Sequence, residues 1–223
     1  MIRASILFFL LISFGSCDRP KAIFSKYPNG NVHEQFSFDS FFTKDTTGLL
    51  EVFFIDGKLK LTGHLKNGKK DGNWTEYNLH GDTVWKGTYE SEILNGEVFE
   101  KNKNGSCFKT NYAKGIREGK STEFIVWESD KNKTSFFYQF GQYSNGKPQG
   151  LWVRKDTNGI ILAENTYVDG IIRGYFTNRY ENGKIKLKGE LNIDSAGTNN
   201  FDFYDSSGNK TELNSYEIYL VEP

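Results

Sequence analysis

The sequence predicts an all-β protein, built of tandem antiparallel β-hairpin repeats that form one elongated, twisted meander sheet. Three observations carry this expectation. Glycines recur in two interleaved series, apolar residues alternate with others between them, and aromatics make up 16% of a chain with 23 glycines and only 4 prolines. Aromatic side chains suit the pleated surface of short strands, and glycine suits the tight turns between them. This aromatic content argues against global disorder. With 23 glycines and only 4 prolines in 223 residues, collagen-like and proline-rich linker readings fail.

The first segment reads as an address. Met1-Ile2-Arg3 is a short positive region, Ile6 to Ile12 is an apolar run, and Phe14-Gly15-Ser16 leads to Cys17. The run is shorter than the roughly 20 residues that span a bilayer, and its flanks fit a secretory signal. Small residues before a cysteine resemble the lipobox of bacterial lipoproteins, with Phe14 where leucine is usual. That resemblance implies diacylglyceryl transfer to the Cys17 thiol and cleavage before it. Residues 1–16 are then a signal peptide, 17–22 a lipidated N-terminus and tether, and 23–223 the repeat domain. An ordinary secreted protein and a retained anchor are the alternatives.

The repeats follow, and self-similarity is the first feature to seek in such a chain. The run from Gly63 through Asn67-Gly68 and Asp71-Gly72 to Trp74 recurs from Gly141 through Asn145-Gly146 and Gln149-Gly150 to Trp152. Weaker copies run from Asn165 to Phe176 and from Tyr112 to Gly119, and a variant begins at Gly87-Thr88-Tyr89. One glycine series falls at 72, 96, 119, 150 and 174, with intervals of 24, 23, 31 and 24. The other is Gly30, Gly57, Gly81, Gly105, Gly159, Gly183 and Gly208. Two series at one period predict two turns per repeat, leaving strands of roughly 7–9 residues. Between them Leu59, Leu61, Gly63 and Leu65 alternate, as do Ile161, Ala163, Asn165 and Tyr167, which places each set on one sheet face. A glycine on that face leaves a hole that an aromatic on the next strand, such as Trp74 or Trp152, can cover.

Tyr27-Pro28-Asn29-Gly30, the run from Asn67 to Trp74, and Tyr180-Glu181-Asn182-Gly183-Lys184 resemble the variant MORN repeats of YwqK-family proteins. The resemblance covers about residues 23–191 and implies successive antiparallel hairpins in a long twisted meander. It also implies a binding or scaffolding surface, and the antitoxin label often attached to the family makes an immunity protein with one toxin partner an alternative.

The period breaks in three places. The 119–150 interval carries about seven extra residues around Ser129 to Thr134, and the stretches 40–47 and 192–200 are irregular. Longer loops or irregular hairpins are expected there. Loops on a rigid scaffold often carry function, although an insertion can also simply be tolerated.

The chemistry-bearing motifs of common enzymes are missing from the sequence, including the nucleophile elbow, the phosphate-binding loop, the His-Glu-x-x-His helix and paired Cys-x-x-Cys. The expectation is therefore a protein that is not an enzyme and takes no cofactor or metal. A site near Lys131 using Glu128 or Asp130 is the enzymatic alternative. His33, His64 and His80 are scattered, and Cys107 reads as a strand residue against a redox role. With 28 basic and 28 acidic residues the chain has no electrostatic footprint for nucleic acid. Lys58, Lys69, Lys70, Lys147 and Lys184 read as solubilising charges near turns.

Trp74, Trp85, Trp127 and Trp152 carry two readings. As a row on a flat sheet they form a candidate binding surface, stacking on sugars or accepting a partner's apolar anchor. As glycine covers they are the core of a single-layer sheet. Together these readings predict an envelope lipoprotein, anchored to the inner or outer membrane and facing the periplasm or the exterior. Its repeat scaffold would bind a protein or an envelope polymer.

Overall fold

The computed structural model describes residues 20–39, 46–128, 134–191 and 200–211. Cys17, residues 129–133 and most of the two other irregular stretches lie outside the described residues. Among the described residues there are seventeen β-strands and no helix, so the all-β hairpin-repeat expectation is met. The chain divides into two compact units, one of residues 1–101 with 112–115, the other of 102–111 with 116–223.

In the first unit β1 (Lys21–Lys26), β2 (Val32–Phe38), β3 (Gly48–Phe53), β4 (Leu59–Lys66), β5 (Lys69–Tyr77) and β6 (Thr83–Glu90) pair antiparallel in sequence order. β6 then pairs with both β7 (Ile93–Leu94) and β8 (Gly96–Lys101). β9 (Cys107–Ala113) follows, with residues 107–111 in the second unit. There β10 (Ile116–Glu128), β11 (Thr134–Ser144), β12 (Lys147–Asp156), β13 (Ile161–Val168), β14 (Ile171–Arg179), β15 (Ile185–Leu191), β16 (Asn200–Tyr204) and β17 (Lys210–Thr211) pair the same way.

The register explains the glycine and aromatic content together. Directly paired residues project to the same sheet face. Across the first unit Phe36, Leu50, Gly63, Trp74 and Gly87 are consecutive partners, so Trp74 lies between two glycines. Across the second, Trp152, Asn165, Phe176, Gly189 and Phe201 form the matching row. A Cβ at Gly63 would collide with the Trp74 indole, and one at Gly141 with the Trp152 indole. The large rings therefore lie down over neighbouring strands at positions where only glycine fits. Phe36, Trp74, Trp152 and Phe176 are buried by this arrangement. We call the face that carries this row inner and the opposite face outer.

The glycine series at 72, 96, 119, 150 and 174 does not mark turns, as the spacing had suggested. All five are strand residues with φ between 70° and 99°, and Gly72, Gly150 and Gly174 lie opposite the register shifts between Gly63 and Leu65, Phe140 and Gln142, and Asn165 and Tyr167. Those three supply the positive φ of β-bulges, which bend and twist the ribbon just before Trp74, Trp152 and Phe176. The turns themselves are Asn67-Gly68, Lys114-Gly115, Asn145-Gly146 and Asp169-Gly170, with both residues at positive φ, and Ser91-Glu92, which manages without glycine. Such turns match the twist of a hairpin.

Both rows of turns are tied across repeats. The N–H of Gly68 donates to Thr46 O at 2.8 Å, that of Gly146 to Arg117 O at 2.9 Å, and that of Gly170 to Pro148 O at 3.0 Å. On the opposite edge the Tyr27 hydroxyl donates to Phe53 O and the Tyr180 hydroxyl to Tyr204 O, both at 2.8 Å. Lys58 and Lys184 donate to turn carbonyls at Leu79 and Ser207, at 2.9 and 2.8 Å. Lys70 sits 4.6 Å from the Trp74 ring centroid. These three lysines thus hold neighbouring groups in place besides carrying charge.

Candidate functional site

The irregular interval proves to be a long hairpin more than a long loop, since β10 has 13 residues and β11 has 11. Gly141 fixes the parity of β11. It is inner, as Ser121 and Glu123 opposite it on β10 are, so the even-numbered residues of both strands are outer. Those outer positions hold Phe124, Phe136, Tyr138 and Phe140. Pairing sets Phe124 beside Tyr138 and Phe140 beside Val153 of β12, with Leu151 adjacent. The rings form a continuous strip: Phe124 to Phe136 is 6.2 Å, Phe124 to Tyr138 5.1 Å and Tyr138 to Phe140 6.3 Å between centroids.

The strip faces solvent. Phe136 is 48% exposed, Tyr138 38%, Phe140 37% and Leu151 55%. Exposed aromatics clustered this way mark an interaction surface more often than singly scattered apolar residues do. A shallow groove of about 340 Å³ opens beside Phe140, between Lys120 and Thr122 of β10, Gln142 of β11, and Leu151 and Val153 of β12.

The inner face of the same strands carries a buried polar cluster. Glu123 is buried on β10, with the Ser121 hydroxyl donating to its Oε1 at 3.2 Å and the Tyr143 hydroxyl at 3.4 Å. Ser121 Oγ also lies 2.8 Å from Thr110 Oγ1. Arg154, across Gln139 in the register, contacts the Gln139 amide oxygen and packs 4.4 Å from the Phe137 ring centroid. Burial pushes the Glu123 carboxyl above its ordinary range, against the hydrogen bonds and the charges of Arg117 and Arg154, which pull it down. Burial likewise raises the Tyr143 and Tyr167 phenols and lowers Arg154. This is a hydrogen-bonded interior patch in which each hydroxyl of Thr110, Ser121 and Tyr143 has a partner.

The four tryptophans do not make one surface. Trp74 and Trp152 are 1% and 4% exposed, and each indole N–H donates to a backbone carbonyl, at His64 and Gln142 respectively. They leave the binding-surface reading because their rings fill the space over Gly63 and Gly141. Trp85 is half-buried on β6, above Gly87 and 5.8 Å from the Tyr89 ring centroid. Trp127 is 60% exposed at the end of β10, on the inner face and so opposite the aromatic strip. Cys107 is half-buried, its thiol 3.5 Å from Gly105 O. His64 pairs with Asp39 at 2.7 Å, and no cluster of three or more His, Cys, Asp or Glu occurs among the described residues.

The sequence reading missed Phe124, Phe136, Tyr138 and Phe140. In Ser135-Phe136-Phe137-Tyr138-Gln139-Phe140 aromatics occupy both parities, so alternation alone does not separate inner from outer. The signal was the repeat glycine at 141, which assigns the odd positions to the glycine-and-tryptophan row.

Comparison with other proteins adds no assignment: no protein-family model matches the chain, and no characterised protein is significantly similar to it.

Proposed function

We propose that this protein is a non-enzymatic binding scaffold of the cell envelope, held to a membrane by a lipid on Cys17 and presenting the outer aromatic strip of β10 and β11 to its partner. The observation that carries the reading is the strip itself, where Phe136, Tyr138 and Phe140 form a run of exposed rings on one face, whereas Trp74, Trp85 and Trp152 are folded over glycines. A rigid antiparallel sheet holds such side chains in a fixed plane with little ordering left to do on binding, which favours affinity. The apolar run to Ile12 and the Phe14-Gly15-Ser16-Cys17 sequence support export and lipidation. Membership of the MORN-repeat group is part of the same proposal, supported by the turn motifs and by the hairpin architecture they resemble.

The test is a photo-crosslinking amino acid placed at Tyr138 in living cells, with Lys86 of β6 as the control. Lys86 is also an outer residue, across Thr75 in the register. Defined adducts at position 138 and none at 86 are expected. Equal labelling at both positions, or none at 138, would end the reading.

A further inference from the structure

We infer that the groove beside Phe140 takes a carboxylate-bearing polysaccharide, with a sugar face against the Phe140 ring and acidic groups held by Lys120 and Lys155. The inference rests on the binding reading above and names the class of partner.

Charge argues for it first. Lys120 is exposed at the groove's rim and Lys155 sits 6.0 Å from the Phe140 ring centroid. Among the described residues neither ammonium makes an ion pair or a hydrogen bond through its side chain. The groove's lining holds no acid. Of the acids on the flanking strands, Glu164 is neutralised by a cation, and Glu118 keeps its charge but is held to the neighbouring turn, outside the groove's lining. Glu164, beside Val153 in the register, is met by Arg179 at 3.4 Å, and Glu118 accepts from the Asn145 N–H at 2.8 Å. Two unpaired cations across an aromatic floor therefore form a local positive surface on a chain whose formal net charge is zero.

The shape and the polar groups argue next. Apolar anchors of a protein partner bind best in enclosed, desolvated pockets, whereas this groove is open and shallow. A flat ring in an open groove can lie under the C–H face of a sugar, with the hydroxyls of that sugar left at the level of the groove's rim. Thr122 and Gln142 stand at that level with a hydroxyl and an amide to exchange hydrogen bonds. The same two groups disfavour a hydrocarbon layer, which cannot satisfy them. A volume of about 340 Å³ accommodates one or two sugar rings, so a polymer would run on across the strip towards Tyr138 and Phe136.

The experiment is affinity electrophoresis of the full chain in non-ionic detergent through gels containing polygalacturonate, with dextran as the neutral control. Retardation by polygalacturonate and not by dextran is expected, weakening with added salt. Phe140→Ala should raise the apparent dissociation constant about fivefold to tenfold, the range of one aromatic contact. The pair Lys120→Gln with Lys155→Gln should weaken retardation at low salt and flatten its salt dependence. Absence of retardation, retardation equal with dextran, or retardation indifferent to Phe140→Ala overturns the inference. Adducts at position 138 that contain lipid or a single protein overturn it too, while leaving the binding reading in place. Loss of both retardation and adducts removes both.

Discussion

Each unit has an inner face of glycines and aromatics, and the two differ in what the outer face carries. In the first unit the outer row runs Ile23, Gln35, Glu51, Thr62, Thr75, Lys86, Phe99, apolar at its two ends and polar between them; Gln35 donates to Glu51 at 2.7 Å. In the second the corresponding row begins Thr122, Phe140, Val153 and continues Glu164, Thr177, Lys188, Asp202. Only its β10–β12 end is apolar, and there the strands are longest. A sheet with one solvated face normally reads apolar-in and polar-out. The first unit obeys that rule from β2 to β6. The long hairpin breaks it over a few residues, and folding gains little from exposed rings. The contrast teaches that the inner rings are there for the fold, while the outer strip needs another reason.

The comparison can be broken most forcefully from the inner face. If Trp74 and Trp152 do the same work, Trp74→Ala and Trp152→Ala should each cost about 3–5 kcal/mol, the range for emptying a buried aromatic site. Chemical denaturation of each variant measures this. Unequal losses would show that the two rows are not equivalent. A smaller effect is expected for Gly63→Ala, where the new methyl must displace the Trp74 indole. Overpacking of this kind costs about 1–3 kcal/mol, and the Trp74 fluorescence should shift red as the ring is forced towards water. A neutral outcome would sink the account of the glycine row.

Glu123 sharpens the comparison at smaller scale, because the first unit's inner row carries Leu50 and Trp74 where the second buries hydroxyls and an acid. Burial raises its folded-state value above the ordinary 4.5. A raised value means the fold prefers the protonated acid. This contribution is therefore fully present below about pH 4.5 and is lost as pH rises through the folded value. Asp202 and Asp205 are shifted the other way, by Lys210 and by Asn209, so the whole protein's profile is a sum of opposing parts. The difference between wild type and Glu123→Gln isolates the one group. The variant should gain relative stability as pH rises from 4.5 to neutrality. A difference that is flat with pH would contradict the buried-acid account.

The smallest effect on stability is expected from the outer strip. Phe136→Ser and Tyr138→Ser should each change unfolding free energy by no more than about 0.5 kcal/mol, as surface substitutions do, while adducts at the neighbouring strip positions disappear. Large destabilisation by either would return the strip to the core and remove the contrast.

Much of the fold was legible because the repeats write the same instruction several times. Gly63 and Gly141 stand eleven residues before Trp74 and Trp152, and that offset already encodes a glycine facing an indole across a hairpin. The bulges were not legible as such. Asp71-Gly72 looks like a turn in one dimension, and only the pairing shows that the chain had turned at Asn67-Gly68. The site was harder still. Tryptophan drew attention as a rare and large side chain, yet Trp74 and Trp152 are inner because the glycines beside them demand a cover. Phe136, Tyr138 and Phe140 are recognisable only once the parity of β11 is anchored on Gly141, because Phe137 between them blurs the alternation.

The bonds between successive turns have a consequence for how such a chain can change in length. Gly68, Gly146 and Gly170 each satisfy their amides on the hairpin before them, and Tyr27 and Tyr180 reach the loop after. An internal hairpin therefore receives from one side the same bonds that it offers to the other. Removing or duplicating such a hairpin whole lets the flanking loops meet as they did before, with no amide left stranded. Growth by copying is in that sense built into the backbone, and a sequence of this kind can drift in side chains while its spacing stays fixed.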